Sequence, residues 1–223
     1  MHRIVQIELT NHCNRQCLYC GIKQMTRPKG LADLKLIKRC VEVLKLIKQT
    51  DQVGLHHFGE SLLHPRLIEF IKYFNENGIT PFLNTNGDFL TDDMIDTLSK
   101  VKLSSLMISL HLPQNRRIEL WRKCTDKGIK SWWQTNEMGG MTNLGGQISV
   151  EGVPIGTPLS DPMTQCGFLR EQRAIVLWNG DLVPCCFDFD GKGIFGSIFD
   201  TNAAELVPKI FNVCKTCSGH PGG

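Results

Sequence analysis

The sequence predicts an α/β fold: a parallel sheet curled into a partial barrel, followed by a smaller cysteine-bearing unit. Three observations carry this. Short β-branched runs alternate with segments of helical period over residues 3–134. The alternation stops near Asn136, where Gly, Pro, Thr and Ser take over without a clear period. The 223 residues fall short of what a closed eight-fold barrel with an added domain would need, since the barrel alone takes about 250.

Residues 3–9 read as the first strand, and residues 11–30 as a polar loop ending in Pro28-Lys29-Gly30. Leu34, Ile37, Cys40, Val41, Leu44 and Ile47 recur at helical spacing over 34–48. A strand follows at 53–58, ended by Gly59-Glu60, and then a helix at 66–77 stopped by Gly78. Residues 79–83 form a strand before the turn Asn84-Thr85-Asn86-Gly87, and Thr91 caps a helix at 92–100. A strand at 106–110, a helix at 115–127 stopped by Gly128, and a weaker strand at 129–134 complete the alternation. Further on, Asn179-Gly180 between apolar runs marks a hairpin over 173–186, and a short helix is expected at 203–211. These elements predict three parts: a barrel over 1–136, a linker over 137–163 and a small unit over 164–223.

Composition narrows the function classes. Apolar residues make up 41% and charged residues 21%, ordinary for a globular chain. No run reaches the ~18 apolar residues of a membrane helix. The opening stretch MHRIVQIELTNHC has neither an apolar h-region nor a small-residue cleavage site, which predicts a cytoplasmic location without membrane association. A net charge of +3 is too mild to argue for nucleic acid. The ten cysteines are the unusual number. In a reducing compartment, clustered cysteines are more often metal ligands or reactive thiols than disulfides.

Cys13, Cys17 and Cys20 form C-x3-C-x2-C directly after the first strand. Soft thiolates at this spacing select zinc, copper(I) or an iron–sulfur cluster, and three of them leave a metal position open. Cys-Asn-Arg-Gln-Cys-Leu-Tyr-Cys resembles the signature of the radical S-adenosylmethionine (SAM) enzymes. That resemblance implies a [4Fe–4S] cluster on the three cysteines, with SAM chelating the open iron. It also implies reductive cleavage of SAM to a 5′-deoxyadenosyl radical that removes a hydrogen atom from substrate. Phe58-Gly59-Glu60 resembles the family's Gly-Gly-Glu motif, with Phe58 in place of the first glycine; these residues would hold the SAM amino group. Thr85-Asn86-Gly87 matches the pattern after the third strand. Ser109 and His111 stand where the family contacts ribose and the SAM carboxylate, and Tyr19 at an aromatic position near adenine. Loops at the C-terminal strand ends are also where a parallel α/β fold places its site.

Cys166, Cys185, Cys214 and Cys217 give C-x13-G-x4-C and a later C-x2-C, a set that suits zinc or an iron–sulfur cluster equally by spacing. The pattern is similar to the SPASM/Twitch subgroup of the same enzymes, and implies one auxiliary [4Fe–4S] cluster of the shorter Twitch type, since Cys217 is the last cysteine. Cys186 is the alternative to Cys185 as ligand. Cys40 and Cys124, on helices, read as buried thiols. Nearly the whole chain resembles the small Twitch-type 2-deoxy-scyllo-inosamine dehydrogenases, including Asn143-Leu144-Gly145-Gly146. Leu144 departs from an arginine that those enzymes place near substrate.

The resemblance implies two-electron oxidation of a small polar substrate, the auxiliary cluster accepting one electron and a flavodoxin or ferredoxin supplying the first. His56, His57 and His111 are candidate bases, with His57 and His111 preferred. A redox-neutral isomerase, aminomutase or epimerase acting on a sugar, amino acid derivative or modified nucleotide is the main alternative. A ribosomal-peptide maturase is disfavoured because the chain starts at the first strand. A non-enzymatic two-cluster electron carrier is disfavoured by the Gly59-Glu60 and Thr85–Gly87 marks. The open side of a partial barrel would admit a macromolecular substrate, or the linker would cover a small one. Trp132 and Trp133, near the last barrel strand, read as core packing or a substrate platform.

Overall fold

The computed structural model describes residues 3–109, 112–133, 144–148, 151 and 158–218. His111 and most of the linker lie outside these residues. Strands β1 (Arg3–Ile7), β2 (Gln52–Gly54), β3 (Thr80–Thr85), β4 (Ser105–Ile108) and β5 (Lys130–Trp133) pair in parallel in chain order. Between them run α1 (Leu34–Leu46), α2 (Leu67–Glu76), α3 (Asp92–Lys100) and α4 (Gln114–Asp126). One apolar cluster joins all four helices to alternate strand residues such as Ile4, Val53, Leu83 and Leu106. Along β3, buried and half-buried positions alternate, as a strand covered by helices on one face only requires.

The helix ends follow the expected chemistry. The Thr91 hydroxyl accepts from Met94 N at 3.2 Å, and the Asp33 carboxylate accepts from Leu36 N at 2.8 Å. Gly78 and Gly128 take φ of 75° and 78° just past α2 and α4. β2 is shorter than expected. Leu55 N still bonds Phe82 O at 2.8 Å, but His56 and His57 have left the ladder, because the chain turns toward Gly59 at φ 114°.

The C-terminal part extends the same sheet and carries one correction. After short helices α5 (Pro162–Gln165) and α6 (Gly167–Arg170), the hairpin β6 (Arg173–Val176) and β7 (Asp181–Val183) forms as expected, with Gly180 at φ 96°. It does not form a separate sheet. β6 pairs in parallel with β1, and with β8 (Gly196–Ser197) this gives one 8-stranded sheet ordered β5-β4-β3-β2-β1-β6-β7-β8. The helix expected over 203–211 is only a 3-10 turn at Ala203–Glu205, after which Leu206 is extended. Pro208 explains the stop: it offers no N–H and pushes Val207 out of the helical region.

Replacing Thr91 by Ala removes the α3 cap and is expected to cost about 1 kcal/mol, read as a lower denaturant midpoint with unchanged slope.

Candidate functional site

The first cysteine loop is closed at its base by two side chains. Thr10 Oγ1 donates to Gly30 O at 2.9 Å. Asn11 donates to Pro28 O and accepts from Gly30 N, both at 2.9 Å. The enclosed chain turns at Cys17, whose carbonyl accepts from Cys20 N at 3.1 Å, and runs into a 3-10 turn over Gly21–Lys23. Cys13, Cys17 and Cys20 are all half-buried and within electrostatic reach of one another. Burial pushes their thiols up, Cys20 to about 11. Arg15 and Lys23 pull Cys17 back down. Loading a metal group here therefore displaces protons. Among the described residues no three His, Cys, Asp or Glu side chains lie close enough to grip a single ion. Three soft thiols on one loop fit an iron–sulfur cluster, where each binds a different iron.

Gly59 is wedged against this loop. A Cβ there would lie 2.2 Å from Thr10 O and 2.9 Å from Asn11 Cα, and its φ of 114° already disfavours other residues. Glu60 is not a solvated carboxylate: it is 1% exposed. It accepts from Leu62 N at 3.0 Å, Thr85 Oγ1 at 2.9 Å and Asn86 N at 2.8 Å. Burial raises its pKa, and these donors oppose the rise. Asn86 Nδ2 in turn donates to Asn14 Oδ1 at 2.9 Å and lies 4.0 Å from Cys13 Sγ. Asp88 grips the same loop, accepting from Asn14 Nδ2 and Arg15 Nε at 2.7 Å. The structure thus gathers Cys13, Cys17, Cys20, Gly59, Glu60, Thr85 and Asn86 at the C-terminal ends of β1, β2 and β3. Ser109 joins them through its N–H, which donates to Thr85 O at 2.9 Å. Tyr19 lies half-buried on the cysteine loop.

His56 and His57 sit beside this group. The His56 ring meets Phe82 edge-on at 5.1 Å and is 3.2 Å from the Gln6 amide nitrogen. Burial lowers it to about 4. His57 packs edge-on against Phe58 at 4.7 Å. Burial lowers His57 to about 3, against a hydrogen bond with the Asp188 backbone, and its Nε2 has no hydrogen-bond partner among the described residues. Both imidazoles are neutral at physiological pH.

The second cysteine set also comes together. Cys166, Cys185, Cys214 and Cys217 line one apolar recess. Phe168, Leu169 and Phe211 complete much of its wall. The lining includes Cys185 and not Cys186, whose thiol hydrogen-bonds its neighbour. Four soft thiols in an apolar recess fit a fully protein-ligated [4Fe–4S] cluster. Gly145 packs against this wall: a Cβ there would lie 3.5 Å from Cys217 Sγ. Cys40 and Cys124 are fully buried on α1 and α4, away from both sets.

Sequence reasoning missed what joins the two sets. Arg27 donates to both carboxylate oxygens of Glu8, with Nη1 at 2.7 Å, and Nε donates to Phe189 O at 2.6 Å. Glu8 is fully buried, and burial raises its pKa against the Arg27 interaction. Asp190 accepts from Thr26 N at 2.6 Å and Arg27 N at 3.0 Å. Above these contacts lies an apolar cluster of Leu144, Ile148, Phe187 and Phe189, against which Met25, Phe58, Cys185 and Cys217 pack. Phe58 and Phe189 meet edge-on at 5.7 Å. Trp133 packs edge-on with Trp121 at 5.5 Å, whereas Trp132 is 39% exposed. The only sequence signal for the Glu8–Arg27 pair is a carboxylate between Ile7 and Leu9, just past the end of β1.

Replacing Arg27 by Gln leaves Glu8 buried without its cation, and is expected to cost about 3–5 kcal/mol, read by chemical denaturation. Acid should weaken the fold through His56. The unfolded imidazole protonates below its ordinary 6.5 and the folded one only near 4. Between those values stability is expected to fall by about 1.4 kcal/mol per pH unit as pH drops. Denaturant midpoints at several pH values should show a flatter acid limb in His56→Gln.

Comparison with known proteins agrees with this geometry. The model of the radical SAM superfamily matches residues 7–138, and that of an iron–sulfur cluster-binding (SPASM) domain matches residues 166–218. The S-adenosyl-L-methionine-dependent 2-deoxy-scyllo-inosamine dehydrogenase of Niallia circulans is 23% identical over 209 residues, covering 91% of this chain and 81% of that protein. The crystal structure of BtrN in complex with AdoMet and 2-DOIA superposes with a TM-score of 0.74 at 24% identity, covering 92% of this chain and 81% of that one. SuiB of Streptococcus suis bound to precursor peptide SuiA gives a TM-score of 0.63 at 13% identity, covering 92% and 64%. The motif loops, the thiol sets and the family matches lead to one conclusion: this chain belongs to the radical SAM superfamily and is an enzyme of it, with a SAM-binding [4Fe–4S] cluster and an auxiliary one.

Proposed function

We propose that the chain is a radical SAM oxidoreductase that removes two electrons from a carbon bearing OH or NH in a small polar substrate. When loaded, the group on Cys13, Cys17 and Cys20 supplies a 5′-deoxyadenosyl radical from SAM, and the group on Cys166, Cys185, Cys214 and Cys217 accepts an electron. The observation that carries this reading is the contact of Phe58, next to Gly59 of the first site, with Phe189, in the apolar cluster against which Cys185 and Cys217 of the second set pack.

The chain's own residues then have distinct tasks. Phe58, Gly59 and Glu60 hold the SAM amino end, and Thr85 and Asn86 fix Glu60 in place. Tyr19, Ser109 and His111 receive the adenine, ribose and carboxylate of SAM. His57 and His111 are the candidate proton acceptors, and the buried Nε2 of His57 has no hydrogen-bond partner among the described residues. The preferred ligand of the second set is Cys185 rather than Cys186, in keeping with the recess lining. Leu144 is 7% exposed within the apolar cluster. A leucine in that place supports a substrate whose polar groups differ from those of an aminocyclitol. A flavodoxin or ferredoxin supplies the first electron, in the cytoplasm.

Anaerobic reconstitution tests the reading. About eight irons per chain are expected, falling to about four in the Cys13/Cys17/Cys20→Ala variant. With a deuterated substrate, label should enter 5′-deoxyadenosine, and one 5′-deoxyadenosine should form per oxidised product. Product isomeric with substrate would replace this reading by the redox-neutral one.

A further inference from the structure

We propose that the helix-free face of the sheet is a polyol pocket, in which Gln6 and Ser105 bind hydroxyls of an uncharged, hexose-sized substrate. This deepens the oxidoreductase reading and rests on it. Alternation along the strands defines the face. Val53, Leu83, Leu106 and Ile108 pack into the core with the helices. Their strand neighbours Gly54, Phe82, Ser105 and Met107 therefore point the other way. Register joins these residues into rows. Gln6 pairs with Gly54, Gly54 with Phe82, Phe82 with Ser105, and Ser105 with Lys130. Two residues further along β3, β4 and β5, Asn84, Met107 and Trp132 form a second row. Phe82, Asn84 and Met107 are half-buried and Trp132 is exposed, so the face is only partly covered by the described residues.

The first row gathers unpaired polar atoms. Six buried side-chain nitrogen or oxygen atoms lack a hydrogen-bond partner among the described residues, and three of them belong here: Gln6 Oε1, His56 Nδ1 and Ser105 Oγ. His56 joins the row because its ring takes the space over Gly54. A Cβ on Gly54 would lie 2.5 Å from His56 Cε1 and 3.0 Å from Phe82 Cζ. Gln6 Nε2 meets His56 Nε2 at 3.2 Å. An amide nitrogen only donates, so the neutral ring carries its proton on Nδ1, and Gln6 Oε1 is left as an acceptor. Each buried polar group without a partner costs stability until something satisfies it. Three such groups at one level of the open face mark the place of a polar ligand.

Charge then selects the ligand. The row offers an amide, an imidazole that burial keeps neutral and a hydroxyl, and no carboxylate. Glu8, two residues beyond Gln6, is already paired with Arg27, and Lys130 at the far end of the row is a cation. An ammonium group here would lose its water and find no counter-charge. A hydroxyl both donates and accepts, which matches the Gln6 acceptor and the Ser105 hydroxyl. Three strand spacings separate Gln6 from Ser105, about 14 Å along the curled sheet. That span suits one hydroxylated ring.

Isothermal titration of the reconstituted, SAM-loaded holoenzyme tests the pocket with two probes. One is scyllo-inositol, which is uncharged. The other is 2-deoxy-scyllo-inosamine, whose amine is protonated at pH 7. Wild type is expected to bind the inositol about tenfold more tightly than the amine. Gln6→Glu supplies the missing carboxylate and should reverse that order. Gln6→Leu should bind the inositol about tenfold more weakly and gain nothing for the amine. Ser105→Ala should weaken the inositol about fivefold and keep the order. Binding of neither probe to wild type, or tighter binding of the amine, would overturn the pocket, and so would an unchanged order in Gln6→Glu. The radical SAM reading fails on a different result: no 5′-deoxyadenosine from SAM when wild type is reduced with dithionite. Titration needs no turnover, so the binding order decides the pocket in either case.

Discussion

The buried pair of Glu8 and Arg27 is the contact on which the rest of the site depends. Glu8 follows directly on β1, which lies between β2 and β6 in the sheet, and its carboxylate is wholly removed from water. A charge placed there is costly unless it is paired and hydrogen-bonded. Arg27 meets that demand in bidentate form, and Trp178 N adds a third donor at 3.3 Å. Arg27 is also the far end of the loop that carries Cys13, Cys17 and Cys20. Satisfying Glu8 therefore closes that loop. The remaining Arg27 donor reaches Phe189 O, so the same cation also fixes the chain that follows Cys185. One guanidinium sets the position of both thiol sets relative to the sheet.

Sheet order turns this local clamp into an architecture. Because β6 runs parallel to β1, the chain leaving β6 emerges at the same edge of the sheet as the first cysteine loop. The hairpin then returns the chain to Cys185 beside that loop. Had β6 and β7 formed an independent sheet, the two thiol sets would be related only through a linker. As it is, Phe58 from the first site and Cys185 and Cys217 from the second pack against one apolar cluster, and Phe189 sits so close to Gly21 that a Cβ there would fall 2.3 Å from its ring. The glycine next to Cys20 is thus demanded by the second site rather than by the first.

The local chemistry of the chain made much of this legible. Thr91, Gly78 and Gly128 mark helix ends because capping is decided within a few residues. Asn179-Gly180 marks a hairpin for the same reason. The cysteine spacings were readable because ligands of one metal group leave a short, typed pattern. What could not be read depends on partners far apart in the chain. Nothing near Arg173 says that it will lie opposite Arg3 in register. Glu8 and Arg27 each look ordinary until the fold opposes them. Glu60 was legible as part of a motif, but its burial and its three donors, which make it a crosslink between the ends of β2 and β3, were not. The helix expected at 203–211 failed on a single proline whose local cost outweighed a suggestive apolar spacing.

The segment Phe187–Asp190 shows how far the two sites have become one. Phe187 N donates to Cys185 Sγ at 3.3 Å, so the segment begins at a thiol of the second set. Its Asp188 backbone bonds the His57 ring, its Phe189 ring meets Phe58, and its Asp190 carboxylate takes the Thr26 and Arg27 amides. Asp188 is itself pinned from the other side, its carboxylate accepting from Lys192 N at 2.8 Å and Gly193 N at 2.7 Å. Each successive residue therefore touches a different element of the SAM side, while the turn behind it is held rigid.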